Sequence, residues 1–566
     1  MTRTAPVYAS EEHADPRRWF AAAVVIVSVL IPVLDNTVLN VAIPAILREF
    51  HADLPSLQWV ITGYSLTFAT LLIIGGRLGD VYGHRRLFIV GAAIFGAGSL
   101  LASVSTSVPT LFLGEALIEG IGASMMIPAT LSILSTTFRG PERAKAFAAW
   151  GAVAGAAVAF GPVVGGFLTT DYSWRWAFRI NVIVAPLIVA GALLFMRPDE
   201  RSVRRPRIDI PGALMIAAGS FALIFGLSEG TTYGWWKPLK DLTVAGATVW
   251  PASRHMSAIP LAFAFAAVVL AAFVVYERAK ERAHADPLFE FGQLRHLGFR
   301  YGLLTTMVLA MGQFGLLFVL PVLLEDGARL SALRTGEWMI PMGVLIALGA
   351  PIGAALTRVI NTTVVVRLGL ALEAIGLATV ALSISAQPTF LQILPGSVLF
   401  GLGVGFASSQ LTNVILSDIE TEKAGVASGT NATVRQVGLA LGIATFASLL
   451  NVQTIRHAVD SVQKFPGLSD AAKTRAVTQL HAKGVAFDPR AIGTHAQLHD
   501  FERLLGSAVA DGARPALLFA AGVVTVGTLL SFLIPHVGTR VRAHGTTAVE
   551  MVDAYEQVDI DPASAI

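Results

Sequence analysis

Four ionisable residues, Asp35, Glu115, Glu119 and Arg435, lie inside long apolar stretches of the sequence. An ionised acid in the middle of a membrane costs several kcal/mol unless it faces a cavity or a partner, so such a residue is functional by default. Glu115 and Glu119 are four residues apart and share one face of a helix. Two neighbouring acids there repel each other, and one is expected to hold a proton near neutrality. Each acid is therefore a candidate for proton coupling or cation binding, with a structural hydrogen bond to a neighbouring helix as the alternative.

Arg435 is the basic member of this set, and a buried cation needs a partner. Glu373, Glu420 and a backbone carbonyl are the candidates, and the sequence does not rank them.

The composition is that of an all-α integral membrane protein. Of 566 residues, 54% are hydrophobic and 14% are charged, whereas about a quarter of an average soluble chain is charged. Apolar runs of about 18 residues or more predict membrane-spanning helices. Fourteen such spans are predicted, near 20–44, 57–79, 87–106, 110–135, 144–169, 177–196, 210–229, 258–277, 300–324, 336–357, 364–384, 391–416, 424–451 and 514–535.

The basic residues predict the sidedness of these spans. Short loops after even-numbered spans carry most of them, for example Arg85 and Arg86 after span 2 and Arg197 after span 6. Basic residues in short loops stay on the inner side of the membrane, so both termini are predicted to be cytoplasmic. The first apolar run follows Arg18 without a small-residue cleavage site, and it is interpreted as a retained helix and not as a signal peptide.

Several function classes are excluded or disfavoured. The chain has no cysteine, which rules out disulfides, thiolate zinc sites and cysteine nucleophiles. All twelve histidines fall outside the predicted span interiors, and no phosphate-binding Gly-Lys-Ser/Thr loop is present. We therefore predict neither an enzyme nor a metal site nor an ATP-driven pump. The small net charge of +3 gives no reason to expect a nucleic-acid partner.

A short glycine-rich turn separates spans 2 and 3. Its glycines allow helix ends to approach closely, and its acid can bind the positive N-terminal end of a neighbouring helix, a contact that would hold one conformation shut. The turn resembles the signature loop between helices 2 and 3 of the major facilitator superfamily. The residues that carry this resemblance are Gly76, Gly79, Asp80, Gly83, Arg85 and Arg86.

Span 5 contains a second motif, in which glycines permit close helix packing and a proline bends the helix. Generic small-residue packing is the alternative. Gly-Pro-x-x-Gly-Gly at the end of span 5 resembles the motif that marks antiporters, and hence exporters, within the superfamily. Its residues are Gly155, Gly161, Pro162, Gly165 and Gly166.

The stretch from Leu34 to Pro44 resembles the span-1 motif of drug:proton antiporters. Span 4 departs from the family, because Ala116 stands where the family usually has an arginine and Glu119 where it has a glutamine. The arginine-based proton relay of the family is therefore not transferred to this chain. A glutamate-based coupling or cation site is the hypothesis in its place, with a structural role as the alternative.

The resemblance implies a major facilitator fold of two six-helix bundles plus two extra helices. Residues 1–18 would be a cytoplasmic N-terminus, 19–196 the first bundle, 197–299 the two inserted helices (spans 7 and 8) with their flanking loops, 300–536 the second bundle with a long extracytoplasmic loop at 452–512, and 537–566 a cytoplasmic tail. The substrate would bind between the bundles. The predicted cavity residues, besides the acids, are Trp59, Tyr64, Gln313, Phe314, Phe318, Trp338, Met342, Gln410 and Asn413.

The implied function is proton-coupled export of drugs or toxic, lipophilic or cationic small molecules by alternating access. The chain would be a monomer in the bacterial inner membrane, with no cofactor and with the proton gradient as its energy source. Its partners would be the lipid bilayer, its substrates and protons. Export of one endogenous metabolite, lipid or self-made antibiotic is the alternative, because the cavity chemistry tolerates both. A non-transporting receptor is a weaker rival, since it would not need titratable acids inside its helices.

Overall fold

The computed structural model describes residues 16–51, 54–199, 208–244, 247–283, 285–417, 419–464, 469–483 and 495–535. Thirteen helices in these ranges are long and apolar enough to cross a membrane. The fifth predicted span, 144–169, falls within a further 32-residue helix, Gly140–Asp171. The predicted terminal segments 1–18 and 537–566 fall almost entirely outside the described residues.

The first bundle is built from spans 1 to 6. Its first span is interrupted at Val29, and its fourth contains a π-helical stretch, Phe112–Glu119. Its helices are α1 (Arg18–Ser28), α2 (Leu30–Phe50), α3 (Leu54–Tyr82), α4 (His84–Ser103), α5 (Val108–Leu111), α6 (Gly120–Thr137), α7 (Gly140–Asp171) and α8 (Trp176–Phe195).

Two further spans, α9 (Ile210–Tyr233) and α10 (Ala258–Arg282), pack against each other. Between them, β1 (Leu242–Val244) and β2 (Ala247–Trp250) form an antiparallel hairpin. The α9 helix also packs against α3 and, in the second bundle, against a helix that starts at Ala424. This pair therefore lies along the seam between the two bundles.

The second bundle consists of α11 (Leu297–Val322), α12 (Ala332–Leu356), α13 (Thr362–Ser383), α14 (Phe390–Ser417), α15 (Ala424–Lys464) and α17 (His495–Leu530), with the shorter α16 (Asp470–Lys483). At 41 residues, α15 is about 60 Å long, about twice the thickness of a bilayer core. The end of α15, α16 and the start of α17 pack together through Ala458, Val462, Ala476, Leu480 and Ala508. The predicted loop at 452–512 is therefore largely helical in its described part.

We name the two ends of the molecule by what they carry. The basic end holds the turn with Arg85 and Arg86, and the hairpin end holds β1, β2 and α16. The bundles approach each other closely near the basic end, where a Cβ atom on Gly76 of α3 would overlap the carbonyl oxygen of Gly425 in α15. Towards the hairpin end, α9 lies between α3 and α15 and joins their side chains in one apolar cluster that includes Leu66, Phe225 and Ala440.

The sidedness can be tested with single cysteines, because the natural chain contains none. Tyr82 at the basic end is 51% exposed and Trp236 at the hairpin end is 75% exposed. A membrane-impermeant maleimide is expected to label Tyr82→Cys only in everted vesicles and Trp236→Cys only in intact cells, since basic loops stay inside. Labelling of both positions from one side would contradict the topology, and the unmodified chain gives the background.

Candidate functional site

Asp35, Glu115 and Glu119 meet inside the first bundle. One carboxylate oxygen of each lies within 4.8 Å of the others, and the three residues are 2%, 1% and 0% exposed. Asp35 is on α2, whereas both glutamates are on the π-helical stretch, a rare geometry that is frequent at functional sites. We refer to these three residues as the carboxylate cluster.

Side chains from three other helices surround the carboxylate cluster. Asn181 of α8 donates its Nδ2 proton to Asp35 Oδ1 at 2.8 Å. On α4, Gly98 makes room for Glu119, because a Cβ atom there would lie 2.7 Å from Glu119 Cγ. The hydroxyls of Ser99 on α4 and Tyr64 on α3 are also buried. The cluster is therefore enclosed by the first bundle in this conformation, and the role of these acids as cavity residues stays a prediction.

Three negative charges cannot coexist in this enclosure. Two unit charges 4.8 Å apart repel by at least about 3 kcal/mol at an effective dielectric constant of about 20. Desolvation adds to this cost, because almost no water-exposed surface remains on the acids. The carboxylate cluster must therefore bind protons or another cation to stay folded in this arrangement.

Asp80 joins the two bundles at the basic end. Its carboxylate accepts hydrogen bonds from the backbone N–H groups of Gly425 at 2.7 Å and Val426 at 2.9 Å. These groups belong to the first turn of α15, where an acid is favoured by the unpaired N–H groups and the helix dipole. The sequence suggested that Asp80 binds a helix N-terminus, and the structure identifies that helix as α15.

The rest of the turn holds the first bundle together. Gly83 has φ of +102° and leads into α4, a conformation that favours glycine. Asp199 accepts hydrogen bonds from the backbone N–H groups of Arg85 and Arg86 at 2.9 and 3.0 Å. The Arg85 guanidinium in turn donates to the Ala192 and Leu193 carbonyls at the end of α8. The sequence analysis did not identify Asp199, because this residue lies in a charged loop and not inside an apolar span, where an acid would stand out.

Gly79 also makes room for a side chain. A Cβ atom there would lie 2.7 Å from Nδ1 of His84.

The span-5 motif lies on α7, which belongs to the first bundle and also packs against α12 of the second. A Cβ atom on Gly155 would lie 2.5 Å from Ile346 Cγ2 of α12, and one on Gly165 would lie 3.0 Å from Val38 Cα of α2. Gly161 is buried, whereas the surroundings of Pro162 and Gly166 fall outside the described part of the chain. These contacts fit both close packing and the antiporter role that the resemblance implies.

Trp59 and Tyr64 were predicted to line the central cavity from α3. Trp59 instead donates to the Tyr233 hydroxyl of α9 at 3.1 Å and stacks on Phe225. Tyr64 is 3% exposed and stacks on Phe68. Both side chains are thus engaged by packing, Trp59 at the seam with α9 and Tyr64 beside the carboxylate cluster.

The remaining cavity candidates belong to the second bundle. Met342, Gln410 and Asn413 are buried, and Phe314 and Trp338 are partly exposed. Trp338 packs its ring against Phe390 with 5.8 Å between ring centres. Phe318 lines a cavity of about 400 Å³ at the hairpin end, between α9, α11 and α15. Other residues lining that cavity are Trp235, Lys237, Ser448 and Asn451.

Arg435 finds a different partner from those predicted. Its Nη2 group donates to the amide oxygen of Gln313 on α11 at 3.4 Å. Among the described residues, neither Glu373 nor Glu420 forms an ion pair with it. Glu420 pairs with Lys423 at 2.8 Å, and this hydrogen bond lowers the pKa of the Glu420 carboxyl. Glu373 is fully buried, and its carboxyl has no hydrogen-bond partner among the described residues. Neither acid is therefore the partner of Arg435, which corrects that prediction.

Glu229 is a buried acid at the seam between α3 and α9 that the sequence analysis missed. It lies on α9, is 8% exposed, and accepts a hydrogen bond from Thr62 Oγ1 of α3 at 2.9 Å. An acid inside an apolar span was the available signal. It was overlooked because Glu229 stands at the last position of the predicted span.

The Asp80 contact can be tested by cross-linking. Ser132 of α6 and Ser428 of α15 bring their hydroxyl oxygens within 3.3 Å across the bundle interface, so Ser132→Cys with Ser428→Cys is expected to form a disulfide on mild oxidation. Hydrogen bonds to a charged group contribute about 1.5–3 kcal/mol each. Adding Asp80→Asn is therefore expected to slow disulfide formation by about tenfold.

Asp199→Asn is the matched control for this measurement, because Asp199 binds a helix N-terminus within one bundle. It should leave the cross-linking rate close to that of the parent pair. Equal rates for Asp80→Asn and the parent would show that Asp80 does not hold the bundles together.

Comparison with known proteins agrees with this architecture. A sequence profile described as Major Facilitator Superfamily matches residues 25–443. The "Probable actinorhodin transporter" of Streptomyces coelicolor is 33% identical over 83% of this chain and 78% of its own length. The "Puromycin resistance protein pur8" of Streptomyces alboniger is 34% identical over 84% of this chain and 89% of its own length.

The fold is shared with solved structures at low sequence identity. The human organic anion transporter MFSD10 (TETRAN) matches with a TM-score of 0.58 at 14% identity, covering 91% of this chain and all of that one. The proton:xylose symporter XylE matches with a TM-score of 0.52 at 14% identity, covering 93% and 97%. With the profile match, the membrane-spanning helices and the two bundles, these similarities show that the chain is a membrane transporter, not an enzyme, and that it belongs to the Major Facilitator Superfamily.

Proposed function

We propose that this protein is a proton-coupled efflux transporter that moves amphipathic small molecules out of the cell. The observation that carries the proposal is the carboxylate cluster, because three acids enclosed in one membrane bundle can hold protons that one side of the membrane supplies and the other removes. Similarity to transporters and resistance proteins supports the outward direction.

The basic end would be the cytoplasmic one, because basic residues in short loops are retained inside. Both termini then lie in the cytoplasm of a bacterial cell, with the protein in the inner membrane as a monomer. The close approach of the bundles at Gly76, Asp80 and Gly425 would close the cytoplasmic side, so this conformation would face outward.

The coupling follows from electrostatics. Protons that reach the carboxylate cluster from outside remove the repulsion between its acids and let α2, α4 and the π-helical stretch pack as they do here. Loss of these protons towards the cytoplasm restores the repulsion and favours a different packing of the first bundle. The bundles then rock about the central cavity, as in other transporters built from repeats. The proton gradient supplies the energy, and no organic cofactor is invoked.

The substrate site would lie between the bundles, with Phe314, Phe318, Trp338 and Met342 as an adaptable apolar wall. Arg435 and Gln313 would supply polar contacts on the same bundle. Such a wall accepts aromatic and lipophilic molecules of different shapes. Polyspecific drug export is therefore the first candidate function.

Export of a single self-made metabolite is the second candidate function. Relatives are named for actinorhodin in Streptomyces coelicolor, for tetracenomycin C in Streptomyces glaucescens and for cephamycin in Amycolatopsis lactamdurans. Each of these names concerns one natural product, which favours a dedicated exporter. A non-transporting receptor is the weakest candidate, because it leaves the buried acids without a role.

Proton coupling can be tested in everted vesicles with an energised gradient and a fluorescent pH probe. Substrates are expected to dissipate the gradient with the wild-type protein and not with Asp35→Asn or Glu119→Gln, because each change removes a proton-binding group. Glu373→Gln is the matched control, since it removes a buried acid of the second bundle. Normal coupling by both cluster variants would remove the cluster from the mechanism.

A substrate panel separates the two export functions. Lipophilic cations, neutral drugs and aromatic polyketides are added in turn to the same vesicles. Responses to chemically unrelated compounds would establish polyspecific export, whereas a response to one scaffold alone would establish a dedicated exporter. A dedicated exporter is expected, given the names of the relatives.

A further inference from the structure

The cavity at the hairpin end, where the end of α9 and the loop after it face α11 and α15, has the size of a ligand site. Its volume is about 400 Å³, and small-molecule sites of this size combine a mostly apolar lining with a few polar groups. Of the described residues that line it, Lys237 alone carries a charge, and Trp235 and Phe318 supply aromatic surface. The acid next to this lining in sequence, Glu229, is bound to Thr62 of α3 instead. An anion with an apolar body is therefore the ligand that this lining fits.

The loop that carries Lys237 is held in one backbone conformation. Gly234 has φ of +87°, which favours glycine, and a Cβ atom there would overlap the carbonyl oxygen of Lys237. Further along the loop, the backbone N–H of Leu239 donates to the carbonyl of Tyr233 at 3.0 Å. The Lys237 side chain therefore starts from a fixed position beside the cavity.

A second cation, Arg435, lies deeper between the bundles. Ala432, three residues before it on α15, packs with Leu72 and Ile127 of the first bundle, and residues three apart share a helix face. Arg435 therefore faces the first bundle just beyond the contacts that close the basic end. Within the described chain, its guanidinium donates only to the neutral amide of Gln313. A cation at this depth is costly unless a charged partner joins it, and an anionic ligand would be that partner.

Aromatic side chains connect Arg435 to the cavity. Phe314 follows Gln313 on α11, and Phe318, which lines the cavity, is one turn further on the same helix face. Arg435 and the cavity residue Ser448 are 13 residues apart on α15, which corresponds to about 20 Å. An amphipathic anion can therefore move from the deeper cation to the cavity while its apolar part stays against aromatic surface.

We infer that the exported substrate is an amphipathic organic anion, and that the cavity between α9, α11 and α15 is an exit site where Lys237 binds its acidic group. Arg435 binds the same group deeper between the bundles, since a guanidinium holds a carboxylate through two parallel hydrogen bonds. The inference rests on the proposed function, because it names the substrate class of that transporter. Anionic lipid headgroups share this chemistry, and the test separates them from a small exported anion.

The test measures thermal unfolding of the purified full-length protein in an uncharged detergent by circular dichroism. Two probes share one aromatic body, because anilinonaphthalene sulfonate carries a negative charge and N-phenylnaphthylamine carries none. The sulfonate is expected to raise Tm in a saturable way, at about tenfold lower concentration than the amine. A ligand of the folded state stabilises it, and only the sulfonate forms charge-assisted hydrogen bonds with the two cations. Equal half-maximal concentrations of the two probes would overturn the inference.

Two lysines of the same loop provide matched variants. Lys237→Gln is expected to raise the sulfonate concentration needed for half-maximal stabilisation by about threefold, as for a solvent-accessible ion pair. Lys240→Gln should leave it unchanged, because Lys240 is exposed and is not among the described residues that line the cavity. The same shift in both variants, or in neither, would contradict the exit site.

Phosphatidylglycerol is added in the same assay, with phosphatidylcholine as the lipid without net charge. We expect no difference between these lipids that depends on Lys237. If phosphatidylglycerol raises Tm more than phosphatidylcholine and Lys237→Gln removes that difference, the cavity binds a lipid headgroup and the exit site for an exported anion is overturned.

Everted vesicles with a pH probe distinguish this inference from proton-coupled export. If the sulfonate stabilises the protein through Lys237 while no compound moves protons, the anion site stands and proton coupling fails. If neutral or cationic compounds move protons while the sulfonate neither stabilises the protein nor moves protons, proton-coupled export stands and the anion inference fails.

Discussion

The arrangement of the first bundle depends on keeping three carboxylates together in an apolar interior. Each acid is almost fully buried, and their oxygens lie within 4.8 Å of one another. Such a group is stable only while its charge is neutralised, whether by protons or by another cation. Helices α2, α4, α8 and the π-helical stretch contact the cluster, so a change in its charge acts on all of them at once.

One helix connects this cluster to the interface between the bundles. Tyr64 beside the acids and Asp80 at the N-terminus of α15 are both on α3, and 16 residues of helix correspond to about 24 Å. A rigid helix of this length transmits a tilt at one end to the other. The state of the acids and the contact of Asp80 with Gly425 and Val426 are thereby linked through a physical element.

The seam between the bundles is occupied at the hairpin end by α9. It contacts α3 through Glu229 and Tyr233. Just beyond its end, Trp235 reaches α15, where its indole donates to the Ser448 hydroxyl at 3.2 Å. Any rocking that brings α3 and α15 together at this end must rearrange these contacts. The α9 helix is therefore placed to influence the alternation of the bundles.

The sequence by itself determined where the helices lie and that the chain is a membrane protein, because hydropathy and span length are local properties that the membrane imposes. It also singled out Asp35, Glu115, Glu119 and Asp80, since charge inside apolar stretches is rare. Only the tertiary structure decided their partners, which lie far along the chain. Asp35 meets Asn181 across 146 residues, and Asp80 meets Gly425 across 345. Such pairs are set by helix packing, which no local pattern encodes.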